Sequence, residues 1–144
     1  MTDSAPQLTY TVTAHRIDVH GSTAQCKEAT LILDTDLAGR LDAFNPAELL
    51  LAAVEACMLK SIERLAPMLH FTLRGVSVSL TGVRQDVPPR LESITYQIRV
   101  ETEESDQRLA LLHTNVRKYG TVSNTVSPGT ALDGTMIRAM QPSP

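Results

Sequence analysis

Cys57 is the residue with the widest chemical scope in this sequence, because a thiolate is a strong nucleophile and is oxidised reversibly. It lies in an apolar run, Leu49 to Leu59, that only Glu55 interrupts. A cysteine in such a run is commonly a small buried hydrophobic residue. It becomes a nucleophile where a cation or hydrogen-bond donors lower the thiol pKa in a site open to substrate. The residues around Cys57 leave both interpretations open.

The segment that carries Cys57 supplies no cation next to the sulfur. On a helix, Lys60 lies about 60° around the axis from Cys57 and Arg64 about 20°, but Arg64 is roughly 10 Å further along. We therefore expect an activating cation to come from another segment. Arg40 and Arg16 are the two candidates.

Two glutamates, Glu48 and Glu55, are seven residues apart and share the helix face opposite Cys57. Glu48 lies three residues after Asn45, which is the spacing of a capping box, and we favour that role over catalysis. Glu55 lies among apolar residues, so its carboxyl group must be paired, protonated or next to solvent. It is a candidate for the lining of a pocket.

The histidines form no recognisable metal motif. His15 and His20 are five residues apart on a predicted strand and so point to opposite faces. His70 and His113 have no ligand at helical spacing. We predict no metal and no cofactor. Phosphate-binding glycine loops, Gly-x-Ser-x-Gly and Cys-x-x-Cys are also absent from the sequence.

Composition indicates an ordinary globular protein. The chain has 144 residues, 42% of them apolar and 20% charged, with a net charge of −3, which predicts a single domain over residues 1–144. Basic residues do not outnumber acidic ones, which argues against nucleic acid as a partner. No apolar stretch reaches the roughly 20 residues of a membrane span. The polar start, Met1 to Tyr10, does not resemble a secretory signal, so we expect a cytoplasmic protein with Cys26 and Cys57 as free thiols.

The strongest structural signal is a helix that begins after Asn45. Asn45 is a good N-cap, and Pro46 suits the first helical position because its missing N–H would be unpaired there. We expect the helix to end near Leu65, or to continue in kinked form past Pro67 to Leu69.

Alternating apolar residues predict strands over Gly75–Arg84 and Ile94–Val100, joined as an antiparallel pair at Pro88-Pro89. The remaining predicted elements are a hairpin within Leu8–Leu33 that turns at Gly21-Ser22, a second helix capped by Ser105 with Gly120 as its C-cap, a closing strand around Leu132 to Ile137, and a frayed tail from Gln141 to Pro144. This order excludes an alternating βαβ sheet and favours the α+β class.

The first helix is apolar around nearly its whole circumference, so it needs cover on every side. From Asn45 to Leu69 it would be about 37 Å long, and one small sheet covers only one of its sides. A second copy of the chain is the simplest cover. We therefore predict a homodimer built around this helix.

The segment 45–57, with its Asn-Pro-x-Glu-Leu-Leu start and its Ala-Cys end, resembles the OsmC/Ohr family of osmotically inducible and organic hydroperoxide resistance proteins. The strands around Pro88-Pro89 and the segment from Lys118 to Ser123 extend the resemblance over nearly the whole chain. The resemblance implies an OsmC-like fold, with antiparallel sheets wrapped around a long central helix. It also implies an intertwined homodimer with two sites at the subunit interface.

In the peroxidases of that family, the cysteine matching Cys57 attacks a hydroperoxide and becomes a sulfenic acid, while an arginine and a glutamate hold its thiolate. Arg40 is the match for that arginine in the OsmC branch, and Arg16 is the alternative in the Ohr branch. Ala47 stands where the peroxidases have the glutamate, although a glutamate at the position of Glu48 is common in the wider group.

The sequence also differs from the family peroxidases at a second cysteine, which in those proteins converts the sulfenic acid into a disulfide. Gly120 stands in its place. Cys26 could resolve the sulfenic acid only if the fold brought its Cα within about 7 Å of that of Cys57. Otherwise the resemblance implies a thiol peroxidase with one cysteine, which reduces small organic hydroperoxides with the help of an external thiol. The alternatives are a non-catalytic dimer that binds an apolar small molecule at the interface, and a structural dimer without a ligand.

Overall fold

The computed structural model describes residues 7–139, so the tail predicted from Gln141 to Pro144 and the first six residues lie outside it. The chain divides into two compact units, one ending at Leu49 and the other beginning at Leu50. Each unit has its own three-stranded sheet. Within residues 7–139, no helix has the length and apolar character needed to cross a membrane.

The first unit contains an antiparallel sheet of strands β1 (Thr13–Asp18), β2 (Gly21–Cys26) and β3 (Ala29–Leu33). The sequence predicted one turn at Gly21-Ser22, but the structure has two turns, at residues 19–20 and 27–28. The second turn was missed because it lacks glycine and asparagine. Lys27 instead adopts the left-handed conformation, with φ of 56°, which lets the chain reverse over two residues.

The connection after β3 is organised by the buried carboxylate of Asp34. One of its oxygens accepts the backbone N–H of Asp36 at 3.1 Å, and the other accepts that of Arg40 at 2.9 Å. The backbone N–H of Asp34 donates in turn to the carbonyl of Phe44 at 2.9 Å. This loop is therefore held in one shape immediately before the first helix.

Helix α1 (Pro46–Met68) begins where the sequence predicted. The side chain of Asn45 accepts the backbone N–H of Glu48 at 2.9 Å, and the carboxylate of Glu48 accepts the backbone N–H of Asn45 at 3.0 Å. This reciprocal pair confirms the predicted capping box. Pro67 lies inside the last helical turn, so the longer of the two predicted ends is the correct one.

The second sheet contains β4 (Gly75–Asp86), β5 (Pro89–Glu101) and β6 (Ala131–Arg138), with β5 in the centre. The predicted antiparallel pairing of β4 with β5 is confirmed, but β6 runs parallel to β5, so this sheet is mixed. The direction follows from the long crossover between β5 and β6. That crossover contains helices α2 (Asp106–Tyr119) and α3 (Thr121–Val126), of which α3 was not predicted. The α+β class is confirmed.

The core of the second unit joins α1, α2 and the sheet. Its fully buried members include Val54, Met58 and Ile62 of α1, Ile94, Ile98 and Val100 of β5, and Leu112 and Val116 of α2. Strand β6 approaches β5 so closely that a Cβ on Gly134 would overlap the carbonyl oxygen of Tyr96. Glycine is therefore required at this point of the sheet.

Candidate functional site

Cys57 lies in the middle of α1 and is half-buried. Its neighbours Val54 and Met58 belong to the core, whereas Ala53 and Ala56 are exposed. The residue therefore lies at the edge of the core and not inside it. Cys26, on β2, is also a free thiol.

Gly120, between α2 and α3, is a direct neighbour of the thiol. An ideal Cβ placed on Gly120 would lie 3.2 Å from Cys57 Sγ. Its backbone is extended, with φ of −79° and ψ of 118°. Gly120 is the C-cap residue of α2, as predicted, but any residue adopts these angles, so the cap itself does not require glycine. The lack of a side chain matters, because a Cβ in this position would crowd the sulfur.

Ser123, in α3, lies next to the same glycine. Its Oγ would lie 3.2 Å from the same Cβ on Gly120, and the residue is only 2% exposed. Among residues 7–139, no hydrogen-bond partner reaches this hydroxyl. Sequence reasoning did not select Ser123 as a site residue, although it ends the Lys118–Ser123 segment on which the family resemblance partly rests.

An open groove of about 430 Å³ begins one helical turn beyond Cys57. Its lining is mostly apolar and consists of Ser61, Arg64, Leu65, Met68, Leu69, Asn115 and Tyr119. Ser61 follows Cys57 by four residues, and Tyr119 directly precedes Gly120. The groove is thus lined by the same two helices, α1 and α2, that carry Cys57 and lead to Gly120.

Arg40 and Arg16, the predicted cations, belong to the first unit. The guanidinium of Arg40 makes two hydrogen bonds of 2.8 Å to the carboxylate of Asp42, which raises the pKa of Arg40 further above its ordinary value. It also approaches the carbonyl of His20 at 3.4 Å. Arg16 is exposed on β1, opposite Ser22 in the sheet register. Both arginines are permanently charged.

The two predicted glutamates differ in their surroundings. Glu48 is exposed and is engaged by the backbone of Asn45 in the capping box. Glu55 is half-buried, and in the described part of the chain its carboxylate takes part in no hydrogen bond or ion pair. Of the three alternatives that the sequence left open, the structure thus shows no pairing of this carboxylate within residues 7–139.

Three of the four histidines each lie within hydrogen-bond distance of one other side chain. His20 Nδ1 lies 2.8 Å from the carboxylate of Asp36, and His15 Nε2 lies 3.2 Å from the hydroxyl of Thr23. His113 Nε2 lies 2.6 Å from the phenol oxygen of Tyr96. Over the described range, no three histidine, cysteine or acidic side chains are grouped in a way that would hold a metal ion.

Comparisons with known proteins agree with this architecture. The model of the family described as OsmC-like protein matches residues 38–133. Sequence comparison with curated proteins finds no match. The fold is similar to that of an OsmC-like protein from Mycoplasma pneumoniae, with a TM-score of 0.84 and 20% identity over 94% of this chain and 100% of the other.

Two further solved structures are similar. One is an organic hydroperoxide resistance protein OsmC from Legionella pneumophila, with a TM-score of 0.68 and 19% identity over 92% of this chain and 99% of the other. The second is the organic hydroperoxide resistance protein OhrB of Bacillus subtilis, with a TM-score of 0.62 and 16% identity over 90% of this chain and 98% of the other.

Proposed function

Because the chain belongs to the OsmC-like protein family, we propose that it is a homodimeric thiol peroxidase that reduces small organic hydroperoxides through Cys57. The Cys57 thiolate attacks one peroxide oxygen, the O–O bond breaks, and the alkoxide leaves with a proton as the alcohol. Cys57 is oxidised to the sulfenic acid in this step. The similar solved structures named as organic hydroperoxide resistance proteins support this choice of substrate.

One observation carries the proposal: Cys57 is only half-buried, and on the side of Gly120 its sulfur faces a residue that has no side chain. A peroxide oxygen needs this kind of access to reach a thiolate. The groove that begins at Ser61 provides an apolar surface for the organic part of the substrate. A packed core cysteine would have neither feature.

The reductant in this proposal is an external thiol, because Gly120 provides no second sulfur beside Cys57. The external thiol attacks the sulfenic sulfur, water leaves, and a mixed disulfide forms. A second thiol then releases the Cys57 thiol and a disulfide of the reductant. The cytoplasm, which keeps thiols reduced, is the proposed compartment.

We propose that Arg40 or Arg16 stabilises the Cys57 thiolate, and that Glu48 or Glu55 orients the arginine. A guanidinium favours the thiolate because it is always charged. The two arginines are distinguished by replacing each with alanine and measuring the pH dependence of thiol alkylation. The variant that loses the activating cation requires a higher pH for half-maximal labelling.

The proposed homodimer, built from one OsmC-like domain of residues 1–144 in each copy, would cover apolar side chains that the single chain exposes. In the first unit these are Ile17, Val19, Leu31 and Ile32, and on α1 they are Leu50, Ala53 and Ala56. Large exposed apolar patches are typical of protein interfaces. Sedimentation at micromolar concentration should give twice the chain mass, and a monomer would count against the dimer.

The central experiment replaces Cys57 with serine and follows the consumption of an organic hydroperoxide in the presence of a dithiol. We expect Cys57→Ser to abolish turnover and Cys26→Ser to retain it, since Cys26 is the matched free cysteine. Iodoacetamide should also label Cys57 near neutral pH faster than a thiol of ordinary pKa. Equal turnover by the serine variant and the unchanged protein would refute the peroxidase proposal.

The apolar groove favours a second candidate, a non-catalytic dimer that binds an apolar small molecule. In that case Cys57 packs without reacting, and the groove alone carries the function. Labelling at the rate of an ordinary thiol, combined with saturable binding of an apolar fluorescent dye that Met68→Arg abolishes, would favour this candidate over the peroxidase.

A further inference from the structure

The hydroxyl of Ser123 is a buried polar group that needs a partner. It is almost completely shielded from solvent, yet within residues 7–139 its Oγ makes no hydrogen bond. Burying a hydroxyl in this way costs free energy unless a hydrogen-bond partner is present. The atoms nearest to it therefore indicate what that partner is.

The sulfur of Cys57 and the oxygen of Ser123 both lie next to Gly120. Each atom would lie 3.2 Å from a Cβ on residue 120, so both border the volume that a side chain there would fill. The sulfur is not itself a hydrogen-bond partner of Ser123. A small atom bonded to the sulfur on this side would extend toward the hydroxyl.

We propose that Ser123 is a positioning residue, whose hydroxyl donates a hydrogen bond to the oxygen that Cys57 carries after oxidation. This inference rests on the proposed function, because it concerns the sulfenic acid formed by hydroperoxide. Gly120 supplies the room for that oxygen, and Ser123 supplies the donor.

The hydrogen bond acts at the reductive step. When the external thiol attacks the sulfenic sulfur, the oxygen leaves with the bonding electron pair and is protonated to water. A donor already directed at this oxygen stabilises the charge that develops on it. The same bond withdraws electron density from the sulfenic acid and so slows a second oxidation to the sulfinic acid.

The test follows the two fates of the sulfenic acid in the full-length protein. One equivalent of an organic hydroperoxide oxidises Cys57, and mass spectrometry after dimedone trapping measures how fast a small thiol then removes the sulfenic acid. Ser123→Ala should slow this removal about tenfold, the value of one hydrogen bond to a developing charge. It should also raise the yield of sulfinic acid at excess hydroperoxide.

Matched variants separate the hydrogen bond from a general effect on folding. Ser123→Thr keeps a hydroxyl and should restore most of the rate, while Ser127→Ala, on an exposed residue after α3, should behave like the unchanged protein. Gly120→Ala places a methyl group 3.2 Å from both the sulfur and the hydroxyl oxygen and should reproduce the rise in sulfinic acid, even if Ser123→Ala fails to fold.

The outcomes distinguish this inference from the proposed function. If hydroperoxide leaves Cys57 of the unchanged protein as a thiol, the peroxidase proposal fails. If Cys57 forms a sulfenic acid that thiols remove equally fast with serine or alanine at residue 123, the role of Ser123 is overturned while the peroxidase proposal stands.

Discussion

The backbone of Gly120 lies against the thiol of Cys57, so that a Cβ at residue 120 would be 3.2 Å from Sγ. A disulfide requires a distance of about 3 Å between the Cβ of one cysteine and the sulfur of the other. We therefore expect Gly120→Cys to form an intramolecular disulfide with Cys57 when the protein is oxidised. Mass spectrometry of the peptides should show the bond after one equivalent of hydroperoxide.

Two controls accompany this variant. Gly120→Cys combined with Cys26→Ser should still form the bond, and Gly120→Cys combined with Cys57→Ser should not. Free thiols or only intermolecular disulfides in Gly120→Cys would contradict the placement of α3 beside α1.

Gly134 should tolerate no side chain. Because a Cβ at this residue would overlap the carbonyl of Tyr96, Gly134→Ala must displace β6 from β5. We expect a loss of about 2 to 3 kcal/mol in the free energy of unfolding, measured with urea. Gly129→Ala is the control, since nothing lies within 4 Å of its Cβ, and its effect should stay within about 1 kcal/mol. Equal losses in both variants would show that the tight contact does not exist.

The capping box makes Asn45 a determinant of stability. Asn45→Ala removes the acceptor of the Glu48 N–H and should cost about 1 kcal/mol in the free energy of unfolding. Asn45→Ser retains a capping oxygen and should recover most of this loss. If Asn45→Ala leaves the free energy of unfolding unchanged, the helix does not depend on this cap.

Two histidines should titrate in opposite directions from the ordinary value of 6.5. Burial and the charge of Arg117 lower the pKa of His113, against the weaker effect of Asp133. A hydrogen bond to Asp36 raises the pKa of His20. NMR titration of the ring protons checks both directions, and a His113 pKa above that of His20 would be incompatible with the structure.

The lowered pKa of His113 also predicts how stability depends on pH. As pH falls through 6.5, the unfolded chain takes up a proton at His113 while the folded protein does not, so the free energy of unfolding falls. This loss ends below the folded pKa, where both states are protonated. Urea titrations between about pH 5 and 7.5 should show a smaller dependence in His113→Gln. If the free energy of unfolding of His113→Gln depends on pH as strongly as that of the unchanged protein, other groups cause the pH dependence.

Short sequence patterns predicted the helices and strands that depend on neighbouring residues in the chain. Asn45 and Pro46 marked the start of α1, and the alternating residues of β4 and β5 predicted their pairing. The turn at Lys27 and the short helix α3 lacked such signals, because Lys27 is a rare left-handed residue and α3 is rich in β-branched residues. These features are stabilised by the surrounding structure, which a sequence pattern does not contain.

The candidate site was likewise predictable only in part. Cys57 was found because a thiol in an apolar helix is conspicuous, but its relation to Gly120 and Ser123 depends on packing between residues more than sixty positions apart. Gly120 was predicted as a helix C-cap because glycine is common after helices, and it occupies that position. Its contact with Cys57 depends on the packing of the chain, which the sequence pattern does not contain.

The parallel strand β6 has a consequence for synthesis on the ribosome. The hairpin of β4 and β5 is complete once residue 101 has emerged, yet one edge of β5 stays unpaired until residues 131–138 follow. An open edge of this kind recruits other strands, including those of neighbouring nascent chains. The protein is therefore most exposed to misassembly during translation of the crossover, and pausing there should lower its yield more than pausing earlier.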